Sequence, residues 1–410
     1  MMKINVFDSF SGAGGFSLGF SMGGYELVGA SEIDKWACET FSFNHPTSKV
    51  INGDITQLTN KDVLSNFHNT PINVLLGGPP CQGFSIANKR NGDPTDPRNS
   101  LFEEFIRLGK LFKPQVLVLE NVPNIVKART QQGKLVVEIL KEECEKLGYY
   151  VYTALLQASD YGVPQTRRRF VLIASYKPLK TPFPEPTYVV NAGSLFGFSM
   201  CPTLWEAISD LPSLIAGEVA ENYDKGPQNN YQRIMRNGSN KLHNHIAMKH
   251  TSRMVARFKS MTWGQKGDEL TEEHLPLKRN GNGEKSEKGY SQNNRRMFPD
   301  KPCHTLPASF YANFVHPYDN RNFTPREGAR IQSFPDTFVF KGKPTVISHK
   351  LLGREGRTSE QFLCQYSQIG NAVPPLMAQA IAENLKEQLF VGGTNVLRSR
   401  QQLKSETYTI

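Results

Sequence analysis

Four side chains in three short stretches have the types and spacing to do chemistry together. Cys81 stands in GGPPCQGFS (77–85), behind the apolar run Val74-Leu75-Leu76 and directly after two glycines and two prolines. A cysteine there can be packing material, a metal ligand, half a disulfide or a nucleophile. The six cysteines (Cys38, Cys81, Cys144, Cys201, Cys303, Cys364) are scattered and form no C-x-x-C pair, which argues against a zinc site or a disulfide framework. A polar, glycine-rich loop at a strand end suits a reactive thiol better than an inert one. Glu120, in LENV, closes another apolar run, and burial there would raise its pKa toward that of a proton donor. Arg167 and Arg169 come from QTRRR, where strand alternation puts both on one face and Arg168 on the other. Taken singly, Glu120 reads equally as a surface carboxylate, and the arginines as phosphate or ion-pair residues. Together they make a coherent site.

A second constellation concerns a ligand. FDSFSGAGGFSLGF (7–20) follows one strand pattern and opens a helix, with glycines at 12, 14 and 15 where the backbone must turn tightly and come close to a partner. It is neither G-x-G-x-x-G, since position 17 is serine, nor a Walker loop, since no Gly-Lys-Ser/Thr follows. Glu32 ends the next strand pattern, about 20 residues on, where an acidic side chain suits two ribose hydroxyls. Asp54, in NGDI, ends a third, where a carboxylate can accept from an adenine amino group. A nucleoside without a compulsory pyrophosphate fits, and S-adenosylmethionine is such a ligand. The alternative is a strained turn with no ligand.

Alternating elements must position these groups. Strands are expected at Ile4–Phe7, Glu26–Ala30, Val50–Ile55, Ile72–Leu76, Val116–Glu120, Val151–Gln157 and Phe170–Ser175, with helices at Lys35–Phe43, Ser100–Phe112 and Lys134–Leu147. The pattern predicts an α/β fold with a mostly parallel sheet, helices on both faces, and ligands beyond the carboxyl ends of the strands. KPLKTPFPEPTY then reads as a linker. The stretch from about 190 to 360 is loop-rich, with frequent Gly, Asn, Lys and Arg, and Met377–Leu389 returns to an amphipathic helix. The expected division is a catalytic domain over 1–180, a small domain over 181–365, a return to the catalytic domain over 366–395, and a polar tail over 396–410.

The chain has 410 residues, 38% hydrophobic and 21% charged, which allows a packed core. No apolar run reaches the roughly 18–20 residues of a membrane span. The N-terminus does not read as a signal peptide, so a cytoplasmic protein is expected. A formal net charge of +10 favours polyanion partners, chiefly nucleic acid, or serves solubility alone.

The ordered set FSGAGG (10–15), Glu32, Asp54, GPPCQGFS (78–85), ENV (120–122), YGVPQTRRR (161–169), REGARIQSFP (326–335) and QIGNAVPP (368–375) resembles the cytosine-C5 DNA methyltransferase family of bacterial restriction–modification systems. The resemblance implies a Rossmann-like, S-adenosylmethionine-dependent large domain and a small, loop-rich target-recognition domain, with DNA held between them. Cys81 would add to C6 of a flipped cytosine, Glu120 would serve N3, Arg169 would contact O2, and Arg167 would steady the site. The donor pocket would be built from Phe10, Ser11, Gly12, Gly14, Gly15, Glu32, Ile33, Asp54, Ile55, Gly78, Pro80, Leu101, Asn371 and Ala372. Asn121 would hold its loop through backbone bonds. Ser85, Lys89, Arg90 and Arg98 lie in a stretch (85–100) that in the family closes on DNA. No metal is implied, and no general base for the C5 proton stands out; a water is a candidate.

The expected partner is duplex DNA, acted on by a monomer, with a cognate endonuclease sharing the recognised sequence. In the small domain Arg253, Arg257, Arg295 and Arg296 are candidates for phosphate or guanine contacts. Segment 338–366 has no assigned role. Two rival readings are an RNA methyltransferase of the same chemistry and a DNA-binding regulator on an inactive scaffold. The intact Cys81, Glu120, Arg167 and Arg169 weigh against the second.

Overall fold

Seven apolar runs of the sequence come together in one sheet. The structure is a computed structural model that describes residues 3–67, 70–80, 101–130, 133–190, 197–275, 294–346, 349–358 and 360–390, with isolated positions between 277 and 284. Strands β1 (Asn5–Ser9), β2 (Glu26–Glu32), β3 (Lys49–Asn52), β4 (Val74–Gly77), β5 (Val116–Asn121) and β6 (Tyr150–Gln157) are followed by the short β7 (Gln165–Thr166) and by β8 (Arg168–Ser175). The sheet order is β3-β2-β1-β4-β5-β8-β6. Its first five strands run parallel, whereas β8 lies antiparallel between β5 and β6. Strand order reverses between β1 and β4, so a crevice opens beyond their carboxyl ends. The glycine loop leaves β1 at that point, and the GPPC loop leaves β4.

Helices cover both faces. Helix α1 (Gly15–Met22), α2 (Lys35–Asn44), α3 (Asn60–Asn66), α4 (Leu101–Phe112) and α5 (Val136–Lys146) alternate with the strands. Phe105, Leu108 and Leu140 bury against Leu75, Leu117 and Leu172 on one face. On the other face Phe16 and Phe20 meet Val6, Val74 and Val118.

Past the linker the chain forms α6 (Leu204–Ile208), α7 (Asn230–Arg236), α8 (Ser252–Ser260), α9 (Phe310–Asn313), α10 (Pro325–Ile331) and α11 (His349–Arg354). The two-residue strands β9 (Tyr188–Val189), β10 (Ser199–Met200), β11 (Arg295–Arg296), β12 (Cys303–His304) and β13 (Phe314–Val315) pair only in twos. Helix α12 (Gln365–Asn371) puts Tyr366 and Ile369 into the second core with Leu204, Phe310, Phe323 and Phe334. Helix α13 (Pro375–Leu389) instead puts Met377, Ile381 and Leu385 into the first.

The second core is organised by buried arginines. Arg330 pairs with Asp336 at 2.6 Å and with Asp210 at 3.0 Å, and Arg321 pairs with Glu327 at 2.8 Å. Burial by itself would raise the Glu327 carboxyl, but the Arg321 guanidinium and His316 outweigh it and hold the group well below the usual carboxylate range. Segment 338–366 now has a structural place. Phe338 and Phe340 join the second core, a Cβ on Gly342 would lie 2.5 Å from the Trp36 ring, and the Leu363 N–H donates to Asp34 Oδ2 at 2.7 Å. The segment clasps α2.

Helices α1 and α13 approach backbone to backbone. A Cβ on Gly19 would lie 2.3 Å from the Ala378 Cβ and 2.5 Å from the Pro375 carbonyl oxygen. Gly19→Ala is expected to force the helices apart and lower unfolding stability by about 1–3 kcal/mol, read as a lower urea midpoint at unchanged m-value.

Beneath the glycine loop Asp8 is fully buried and accepts from Ser17 Oγ at 2.5 Å. Burial pushes its carboxyl from 3.8 to about 7, against the Ser17 hydrogen bond. A raised carboxyl favours the fold below its unfolded value and stops doing so as pH rises through about 7. Asp8→Asn, which cannot ionise, is expected to remove on the order of 4 kcal/mol of stability loss between about pH 4 and pH 8, measured by urea unfolding across that range.

Candidate active site

The carboxyl end of β5 carries the clearest reactive geometry. Glu120 is 8% exposed, and its Oε1 accepts from Arg169 Nε at 2.8 Å. Antiparallel pairing sets this contact, because β8 runs beside β5 with Asn121 opposite Phe170, the residue after Arg169. The second carboxyl oxygen faces the GPPC loop, since a Cβ on Gly78 would lie 3.6 Å from Glu120 Oε2. Burial raises the Glu120 pKa, while Arg169 and then Arg167 oppose the rise. Burial likewise lowers Arg169, but an arginine stays charged at working pH. The site therefore offers a carboxyl inclined to keep its proton beside fixed positive charge. That combination suits a reacting ring on which negative charge develops.

Alternation holds as expected, with Arg167 and Arg169 buried and Arg168 exposed. Arg167, 1% exposed, spans three chain segments: Nη1 donates to the Leu306 carbonyl at 3.1 Å and Nη2 to the Gly370 carbonyl at 2.9 Å. Gly370 can come so near because it has no side chain; a Cβ there would be 2.4 Å from the Pro307 carbonyl oxygen. The Gln165 amide adds to the same joint, donating to Gln332 Oε1 at 2.9 Å and accepting from the Leu306 N–H at 2.9 Å. Leu306, Gln165 and Gln332 were not singled out from the sequence. A leucine acting through its carbonyl leaves no side-chain signature.

Asn121 holds the neighbouring loop as expected. Its Nδ2 donates to the Pro79 carbonyl at 2.9 Å, and its Oδ1 accepts from the Val122 N–H at 2.8 Å. Pro79 lies two residues before Cys81. Cys81 itself, and with it Ser85, Lys89, Arg90 and Arg98, lies outside the described residues.

The glycine loop forms a cradle at the β1 end. Glu32 Oε2 accepts from the Gly12 N–H at 2.8 Å, and Oε1 accepts from the Asp34 N–H at 2.9 Å. Burial raises its carboxyl against these bonds. Gly12 sits at φ +54, and a Cβ built on it would meet open space. Ser11 is buried, and its hydroxyl has no partner. Phe10, half-buried, adopts φ 61. Gly14 and Gly15 turn into α1, and a Cβ on Gly15 would lie 3.2 Å from the Ala372 Cβ, so the far end of the chain closes this side.

The remaining expected residues differ in exposure. Ile33 is 66% exposed after β2. Asp54 is exposed and caps the turn at Ile55, accepting from the Thr56 N–H at 2.9 Å, while Ile55 is buried. Pro80 and Leu101 are half-buried, and Asn371 is exposed at the end of α12. An open-sided glycine, an unpartnered serine hydroxyl and a carboxylate at the next strand end fit a nucleoside-bearing donor.

Among the described residues no cluster of three or more His, Cys, Asp or Glu could hold a metal ion, and no helix is long and apolar enough to cross a membrane.

The small-domain arginines divide. Arg296 donates to the carbonyls of His316 and Pro317 and also to the Asn320 side chain, and Arg257 donates to the carbonyls of His274 and Leu275. Both are therefore structural. Arg253 reaches the Leu275 carbonyl from the surface. Arg295 remains.

Comparison with known proteins agrees with this geometry. The family model for C-5 cytosine-specific DNA methylase matches residues 4–387. The type II methyltransferase M.DdeI of Desulfomicrobium norvegicum is 47% identical over 93% of this chain and 88% of its own. M1.HphI of Haemophilus parahaemolyticus is 35% identical over 93% and 86%. A prophage-encoded E. coli protein assigned as a DNA modification methyltransferase superposes with a TM-score of 0.68 at 26% identity, over 94% of this chain and 99% of the other. The chain therefore belongs to the C-5 cytosine-specific DNA methylase family, S-adenosylmethionine-dependent enzymes that methylate cytosine in DNA.

Proposed function

We propose that this enzyme methylates one cytosine of a short duplex sequence by transient covalent addition of Cys81, as the modification half of a restriction–modification system. The buried Glu120–Arg169 pair, facing the Gly78–Pro80 lead into Cys81, carries the reading. The target base is flipped out of the stack, because C6 is unreachable inside a duplex. The Cys81 thiolate forms a bond to C6, and the electron pair moves toward N3 and C5. Glu120 gives its proton to N3, and the fixed charge of Arg169 lies where O2 gains density. The ring then carries an enamine whose C5 is nucleophilic. S-adenosylmethionine, when bound, supplies an electrophilic methyl group. Loss of the C5 proton to a water, expulsion of the Cys81 thiolate from C6 and return of the N3 proton to Glu120 restore the aromatic ring as 5-methylcytosine. Arg167 contacts no reacting atom; it positions the strand by joining it to Leu306 and Gly370.

The donor is held by Phe10 against adenine, by Ser11, Gly12, Gly14 and Gly15 around the methionine part, and by Glu32 with Ile33 at the ribose. Asp54 and Ile55 meet adenine, and Gly78, Pro80, Leu101, Asn371 and Ala372 complete the pocket. The unpartnered Ser11 hydroxyl and the open side of Gly12 support this. The type II relatives support the restriction–modification setting. We read the chain as a monomer whose catalytic body (1–180 and 366–395) and recognition body (181–365) face each other across the DNA.

Bisulfite sequencing of DNA from cells expressing the protein is expected to show one short methylated motif. Duplexes with 5-fluorocytosine at that position are then expected to trap the enzyme covalently in the presence of donor, because the C5 substituent cannot leave. Methyl incorporation into tRNA but not into duplex DNA would overturn the reading.

A further inference from the structure

The N-cap of α2 offers one acceptor more than a helix start requires. Asp34 Oδ1 accepts from the Ala37 N–H at 2.9 Å and closes the first turn. An asparagine or a serine would serve that bond equally. The second oxygen, Oδ2, accepts from the Leu363 N–H at 2.7 Å, 329 residues further along the chain. The half-buried Asp34 thus ties the start of α2 to the far end of segment 338–366.

The same residue holds the carboxylate at the end of β2. The Asp34 N–H donates to Glu32 Oε1 at 2.9 Å, and the Gly12 N–H donates to Glu32 Oε2 at 2.8 Å. A continuous line of hydrogen bonds therefore runs from Leu363 through Asp34 and Glu32 into the glycine loop. Each Glu32 oxygen keeps capacity for a second donor, so a pair of hydroxyls can still bind there. The direction of the carboxylate is set by where Asp34 puts its own N–H.

The rest of the segment grips α2 along one stripe. Trp36, Thr40 and Asn44 recur every fourth residue and so share a face of the helix. Phe362, next to Leu363, packs on Trp36 with ring centres 5.4 Å apart. The Lys341 N–H donates to Thr40 Oγ1 at 2.8 Å, and Thr40 Oγ1 donates to Gln368 Oε1 at 2.6 Å. Asn44 Nδ2 donates to the Val339 carbonyl and Oδ1 accepts from the Val339 N–H, each at 2.9 Å. Gln368 Nε2 also donates to the Leu363 carbonyl at 2.8 Å and to the Lys341 carbonyl at 3.1 Å, which ties the two ends of the segment together.

We propose that Asp34 is a positioning residue for the methyl donor: it passes the grip of segment 338–366 to Glu32 and so fixes the carboxylate that receives the ribose hydroxyls. This rests on the reading of Glu32 given above. Asp34 touches no donor atom. A cap alone would stabilise α2 and leave the donor unaffected, whereas the bond to Leu363 makes the turn from Glu32 to Asp34 depend on the segment.

Asp34→Asn tests this, because the amide keeps one acceptor for the Ala37 N–H and turns a donor toward the Leu363 N–H. Calorimetric titration is expected to show S-adenosylmethionine and S-adenosylhomocysteine both weakened about tenfold, since the ribose is common to the two. The donor KM should rise by the same factor, with kcat at saturating donor within about twofold of the parent. Duplex affinity, read by fluorescence anisotropy, should not change. Phe362→Ala loosens the segment without altering Asp34, and is expected to weaken both ligands about threefold. In a Glu32→Ala background Asp34→Asn should add nothing, because its effect passes through Glu32.

A lower unfolding midpoint in Asp34→Asn with donor affinity unchanged would reduce the residue to a helix cap and overturn the proposal. A fall in kcat at unchanged donor KM, or a loss of duplex affinity as large as that for the donor, would do the same. So would a full effect of Asp34→Asn in the Glu32→Ala background, or parent donor affinity in Phe362→Ala. If Glu32→Ala itself binds the donor like the parent, the ribose reading of Glu32 fails first. If Glu32→Ala loses the donor and Asp34→Asn does not, only the positioning role fails.

Discussion

Cys81→Ala is expected to reduce methyl transfer by on the order of 10⁴-fold or more while S-adenosylmethionine binding stays near the parent value. The two quantities separate because they belong to different strands. The donor cradle is built mainly on the loop after β1, with the Gly12 N–H fixed by Glu32, and Cys81 is not one of the residues assigned to it. Without the thiolate the ring never gains the enamine character that makes C5 reactive, so no other group substitutes for it. Incorporation of labelled methyl groups into a cognate duplex measures the loss, and calorimetric titration measures donor binding. The covalent complex with 5-fluorocytosine DNA should vanish in the same variant. Turnover within tenfold of the parent would refute nucleophilic addition by this residue.

Glu120→Gln is expected to lower kcat by about 10²–10⁴-fold and to remove a limb of the pH profile. The amide keeps the size of the side chain and can still accept from Arg169 Nε, so the buried arginine retains a partner. It cannot transfer a proton to N3. The working form of Glu120 is protonated, and burial raises its pKa against the pull of Arg169 and Arg167. Parent activity should therefore fall as pH rises through that raised value, and the variant should lack this fall. Glu120→Ala is a different experiment. It leaves Arg169 buried without its carboxylate, a change that commonly costs about 3–5 kcal/mol of stability. A Glu120→Gln enzyme with the parent's kcat and the same alkaline limb would remove Glu120 from the chemistry.

The strands of the large sheet and most of its helices, though not α3, were legible because their cause is local. Val116 to Leu119 form a fully buried run between turn signals, and only a central strand uses such a run. Arg167 and Arg169 could be placed on one face from alternation alone. The partners of Arg167 could not, since Leu306 and Gly370 meet it only through tertiary folding. The arginines of REGARIQSFP show the same limit. By composition they resemble surface charge, yet Arg326 and Arg330 are fully buried, and Arg330 is satisfied by Asp210, 120 residues away. Arg257 and Arg296 were candidates for DNA contact on charge alone, but carbonyls along the chain hold both guanidinium groups in place. Segment 338–366 gave no signal because its function is to clasp α2, and contact with a distant helix leaves no period in the sequence.

The close seat of α1 on α13 has a consequence for how the enzyme comes into being. The first helix packs on the sheet through Phe16 and Phe20, but its second packing surface exists only when residues 375–389 have been made, and the wall of the donor cradle at Ala372 arrives with them. During synthesis the glycine loop thus lacks one wall until those residues have left the ribosome. The joint also means that a piece ending in the loop-rich middle and a piece beginning there would carry the two matching halves of one helix pair.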